Sequence, residues 1–152
     1  MIGDGESRES PAERHRRPED ASDDAVAAAG RVSEALETTE QARGHLYAFH
    51  QLTGRADGQL DAAVELLRAA GHDDLADEVE RELIGRNVLS GRWTFQIVEE
   101  YDDGYYQEFR SIEGKVRGRL TEGRRHVFEA EMKERRRTHG LPDHTARPGD
   151  GD

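Results

Sequence analysis

GRWTFQIVEEYDDGYYQEF, residues 91–109, decides the fold class. Trp93, Phe95 and Ile97 alternate, and Asp103-Gly104 is a hairpin turn signal, so the stretch can be read as two strands. Trp93, Ile97, Tyr101, Tyr105 and Phe109 also recur every four residues, and the stripe runs on through Ile112, Val116 and Leu120. A lone two-stranded hairpin is marginal in water, and no other segment of this chain reads as a strand. The reading taken is helix, with a break at Gly104, and it makes the whole chain all-α.

Downstream, a last helix is expected over about 105–137. Its seam is Tyr105, Phe109, Ile112, Val116, Leu120, Gly123 and Val127, with spacings of three and four residues close to a heptad repeat. Gly114, Gly118 and Gly123 weaken its middle, each by about 1 kcal/mol relative to alanine. Beyond Phe128 and Met132 there is little to bury, so the end is expected to project as solvated helix. The charge also reverses here. Residues 110–138 carry ten Lys/Arg against five Glu, a net of +5 in a chain of 152 residues whose formal charge is −11.

Upstream, Ser22 is placed to cap a helix whose first turn holds Asp23 and Asp24, acidic residues that suit the positive end of the helix dipole. Ala28, Val32, Ala35, Thr39, Ala42, Leu46, Phe49 and Thr53 are taken as its inner face, and Gly54 as its stop. A second helix is expected from about Gly58 to Ala70, ended by Gly71, and a third from Asp73 with Leu75, Val79 and Leu83 inward. So short a link makes these two antiparallel neighbours.

The ends are poor in large apolar residues. Residues 1–21 and 139–152 are expected as disordered tails around one helical domain at 22–138. The predicted architecture is a small, elongated helical bundle of four to five helices, with the long first and last helices as an antiparallel spine. No cysteine is present, which excludes disulfides, thiolate metal sites and cysteine nucleophiles. No basic-then-apolar leader opens the sequence, and no apolar run approaches the ~20 residues that span a bilayer. The expected location is therefore the cytoplasm, with no membrane partner.

Four constellations carry chemistry worth weighing. Lys115, Arg117, Arg119, Arg124, Arg125, Arg135 and Arg136 form a candidate anion surface, since phosphate binding draws on solvent-facing cations. The bland reading is a charged face turned to Glu34, Glu37, Glu40, Glu78, Glu80 and Glu82. Gly114-x-x-x-Gly118 is read as tolerated helix weakness, because Lys115 and Arg117 exclude a membrane contact. His50 and His126, with Glu122 and Glu129, have metal-ligand chemistry. They nonetheless lack the Glu-x-x-His order of di-iron bundles, so structural histidines are preferred. The cluster Glu99, Glu100, Tyr101, Asp102, Asp103, Tyr105 and Tyr106 is read as packing plus protein contact, its carboxylates pairing with Arg117, Arg119 or Arg124. Trp93, Tyr101, Tyr105 and Tyr106 are its candidate contact residues, because tyrosine and tryptophan dominate binding hot spots.

Phosphate-cradling, dinucleotide, nucleophile-elbow and zinc-protease motifs are all missing. The functional expectation is a non-enzymatic protein-interaction module, bound to a protein partner or to its own copies and needing no cofactor. A nucleic-acid binder using helix 110–137 ranks second, and a metal-binding helical-bundle enzyme third.

Overall fold

The computed structural model describes residues 9–147, so the parts of the expected tails at 1–8 and 148–152 lie outside the described residues. The fold is all-α. It comprises a 3-10 turn at Glu13–His15, α1 (Asp23–Ala69), α2 (Asp73–Glu82), α3 (Thr94–Tyr101), a π-turn (Asp102–Tyr106), α4 (Gln107–Thr121) and α5 (Val127–Arg136). The contacts fall into two compact units. One is Met1–Glu37 with Glu108–Asp152 and the other is Thr38–Gln107.

The start of α1 is as predicted: Ser22 Oγ accepts the Ala25 N–H at 3.1 Å. The stop at Gly54 does not occur. α1 runs for 47 residues and absorbs the segment assigned to a separate helix from Gly58. A glycine inside a helix weakens it without ending it, and ending needs a cap. That cap is found at Gly71, where φ is +82°. The Gly71 N–H bonds Arg68 O at 3.0 Å and the His72 N–H bonds Leu67 O at 2.9 Å, the crossed pair of a Schellman motif.

The inner face of α1 also differs from the apolar positions first assigned. Ala28, Ala35, Ala42 and Phe49 are exposed. The residues turned inward are Val26, Ala29, Ser33, Leu36, Thr39, Arg43, Leu46, His50, Thr53, Asp57, Leu60, Val64 and Leu67, all buried or half-buried. Their three-and-four spacing is close to heptad. The face was hidden from an apolar count because six of its members are polar, and four of those six are met by named polar partners. Ser33 Oγ donates to Glu113 Oε1 at 3.0 Å. Arg43 donates to both oxygens of Asp102, at 2.7 and 2.9 Å. His50 Nδ1 lies 2.7 Å from Thr94 Oγ1, and Asp57 accepts the Gly85 N–H at 2.9 Å.

Residues 94–109 are helical, as read, but Gly104 does not break them. α3, the π-turn and α4 are continuous from Thr94 to Thr121. A stripe at every fourth residue drifts by about 40° per step on a 3.6-residue helix. One wide π-turn takes up that drift. The hairpin signal Asp103-Gly104 lies within the π-turn, and a separate tight turn just before α3 has Leu89 and Arg92 exchanging backbone hydrogen bonds around Gly91 at φ +71°.

The last helix is two helices. α4 ends at Thr121, Glu122 and Gly123 take φ of 53° and 75°, His126 takes 58°, and α5 follows. Gly123 is therefore a turn residue and not a seam position. Parts of both expected tails are engaged around α5. Arg17 forms a fork on Glu131 at 2.6 and 2.9 Å, and Pro18 is buried. Arg137, whose side chain is fully enclosed, binds Glu134, Glu9 and the His144 carbonyl.

Candidate functional site

The aromatic segment divides into an outward and an inward set. Trp93 is 57% exposed and Tyr105 61% exposed. Trp93 stands beside Phe95, itself exposed, in an edge-to-face pair with ring centroids 5.3 Å apart. The turn at Leu89–Arg92 and the Gln96 side chain, which accepts the Trp93 N–H at 2.8 Å, fix the backbone that presents them. Tyr101 and Tyr106 are half-buried and committed inward. Their rings stack at 6.2 Å, and the Tyr106 hydroxyl donates to Glu40 at 2.6 Å. The Arg43 guanidinium lies 5.5 Å from the Tyr106 ring centroid, while it also holds Asp102. Arg43 thereby keeps the Asp102 carboxyl below its ordinary pKa of 3.8, chiefly by hydrogen bonding.

The acids of this segment therefore do not pair with Arg117, Arg119 or Arg124. Asp102 takes Arg43 and Glu100 takes Arg92. The π-turn is what swings Asp102 and Tyr106 to the same side as Glu40 and Arg43. Arg43 is a residue that sequence reading missed, because its partner Asp102 lies 59 residues away in the chain.

The basic stretch is likewise split. Arg117 bonds Glu113 and the Gly123 carbonyl, and Arg124 bonds the Arg16 carbonyl and Glu122. These two cations are spent on closing the loop between α4 and α5, and their acids come from within that loop or from α4. The Glu-rich face proposed for them has other partners: Glu34 takes Arg31, Glu80 takes Arg68 and Glu82 takes Arg81. Lys115, Arg119, Arg125, Arg135 and Arg136 remain exposed. Arg124 and Arg125 do meet further cations. With Arg14, His15, Gly123 and His126 they line an open cavity of about 460 Å³, with Glu122 the only acid on its wall among the described residues. His15 Nδ1 lies 2.8 Å from the Arg125 carbonyl, and Arg14 Nε donates to His15 Nε2 at 3.2 Å. A carbonyl only accepts and a guanidinium only donates, so His15 carries its proton on Nδ1. No pattern in the sequence joined residues 14 and 15 to residues 124–126.

Of the histidines, His50 is half-buried against Thr94 and the Tyr47 ring. His126 is exposed, and its expected companion Glu122 instead meets Arg124. The residues grouped with it are Glu129 and, from α1, Glu37.

Comparison of the chain with protein-family models, curated proteins and solved structures gives no match, so function is argued from these residues alone. Among the described residues no helix is long and apolar enough to cross a membrane.

Proposed function

We propose that this chain is a non-enzymatic protein-interaction module, which docks a protein partner or a second copy of itself through the surface around Trp93 and Tyr105. One observation carries the reading. The buried hydrophobic residues are all valine or alanine, while Trp93, Phe95, Tyr105, Leu89 and Leu66 stand 40–70% exposed. A chain normally buries its largest apolar groups first, because each is worth roughly 1.5–3 kcal/mol when removed from water. Large apolar groups left outside, with tryptophan and tyrosine among them, are the composition of a docking surface.

The test is sedimentation of the full chain, together with capture of partners from native lysate, for the wild type and for Trp93→Ala and Tyr105→Ala. The reading expects self-association or a discrete partner, weakened at least tenfold by Trp93→Ala. A strict monomer whose partners are all retained by both variants rejects it.

The cavity lined by Arg14, Arg124 and Arg125 favours a second reading, in which a nucleic-acid phosphate sits among these cations. That reading requires binding that falls steeply with salt and is lost when Arg14 and Arg125 become alanine.

A further inference from the structure

We infer that Glu37, His126 and Glu129 form a binding site for one divalent transition-metal ion, of which Zn2+ is the representative. The three come from two places in the chain: Glu37 from α1, and His126 and Glu129 from the residue before α5 and its first turn. One ligand atom of each lies within 4.8 Å of the other two, and His126 Nδ1 is 4.0 Å from Glu129 Oε2. Zinc bonds imidazole nitrogen and carboxylate oxygen at about 2.0–2.2 Å, so three tetrahedral ligands stand about 3.4 Å apart. Closing from the observed spacing takes about 1 Å, within the reach of side-chain rotation alone.

The partner pattern points the same way. Glu37 has no hydrogen bond or ion pair among the described residues, and Glu129 has only His126. Glu129 is half-buried with no arginine on it, whereas Asp102, Glu131 and Glu134, also half-buried, each hold one. Two carboxylates and a neutral imidazole balance a 2+ charge, and the mixed oxygen–nitrogen set suits zinc, cobalt or manganese better than calcium. The backbone aims the ring: His126 sits in the left-handed region, at φ 58° and ψ 28°, and its carbonyl accepts the Ala130 N–H at 2.8 Å. Histidine is among the few side chains enriched in that conformation. Three protein ligands leave one position for water. Bound metal would tie α1 to the start of α5 inside one compact unit.

The experiment is titration of the full chain with ZnCl2 by calorimetry at pH 7, repeated with CoCl2 and read by visible absorption. Glu37→Gln removes a charged ligand at an exposed position. His126→Asn keeps a residue that accepts left-handed backbone while removing the imidazole. His72→Gln, at an exposed histidine of the other unit, is the control, and circular dichroism confirms that each variant is folded. The expected result is one ion per chain, affinity lowered at least tenfold by Glu37→Gln and by His126→Asn and unchanged by His72→Gln, and a zinc-dependent rise in melting temperature that Glu37→Gln abolishes. Absence of binding, or binding that both Glu37→Gln and His126→Asn leave intact, overturns the inference. Either result leaves the docking surface at Trp93 untouched, because the variants lie in different units.

Discussion

Gly30 shows how a single missing methyl can set a packing distance. A Cβ built on Gly30 would stand 2.8 Å from both Cβ and Cγ of Phe128, well inside contact. Gly30→Ala therefore forces α1 and α5 apart or turns the Phe128 ring off its rotamer, and overpacking of this kind costs about 1–3 kcal/mol. Urea denaturation of the variant should show that loss. Arg137 and Glu134 make a second prediction, on pH. The Arg137 guanidinium, by direct hydrogen bonding and then with help from His139, holds the Glu134 carboxyl down to about 2 from an ordinary 4.5. A depressed carboxylate adds stability that is complete above its ordinary pKa and vanishes as pH falls toward the folded value. The difference in melting temperature between wild type and Glu134→Gln should be largest at pH 6–7 and shrink between pH 4.5 and 2. A difference that stays constant over that window would show that the carboxylate charge contributes nothing.

At the level of elements, α1 and the α4–α5 loop give opposite lessons about glycine. Gly54 lies inside a continuous helix with nothing within 4 Å of an added Cβ, so Gly54→Ala should stabilise by about 1 kcal/mol. Gly123, at φ +75°, ends a helix, so Gly123→Ala should destabilise by about 1–2 kcal/mol. Paired denaturation curves check both signs at once. The sequence showed the elements better than their ends. The Ser22 cap, the Gly71 terminator and the helical character of 94–109 could all be read, because each is a local signal. Gly54 and Gly123 could not be told apart, because a glycine reports freedom and not the φ it adopts. The inner face of α1 escaped for another reason. Arg43 and Asp57 are inside because Asp102 and Gly85 answer them across the fold. The Glu37–His126–Glu129 group was unreadable on the same ground, since only folding brings residue 37 beside residues 126 and 129.

Taken over the described residues, the molecule inverts the usual order of burial. Its enclosed groups are small or polar, with Thr121 and the Arg137 side chain among them. Hydrogen-bonded contacts such as Arg43–Asp102, Tyr106–Glu40 and Arg17–Glu131 stand beside half-buried leucines such as Leu36, Leu46, Leu60 and Leu67 in holding it. Large apolar groups such as Trp93 are left free for intermolecular use. This separation of roles can be measured with two substitutions in one segment. Tyr106→Phe deletes the hydroxyl that reaches Glu40 and leaves the outer surface unaltered, so it should lower stability by about 1 kcal/mol and leave association unchanged. Trp93→Ala removes an exposed ring, so it should leave the melting temperature within about 1–2 °C of wild type, in line with the small cost of most surface substitutions. Yet it should weaken association at least tenfold, as truncation of a tryptophan anchor does. If Trp93→Ala instead lowers stability while association persists, Trp93 packs within its own chain, and the docking surface must lie elsewhere.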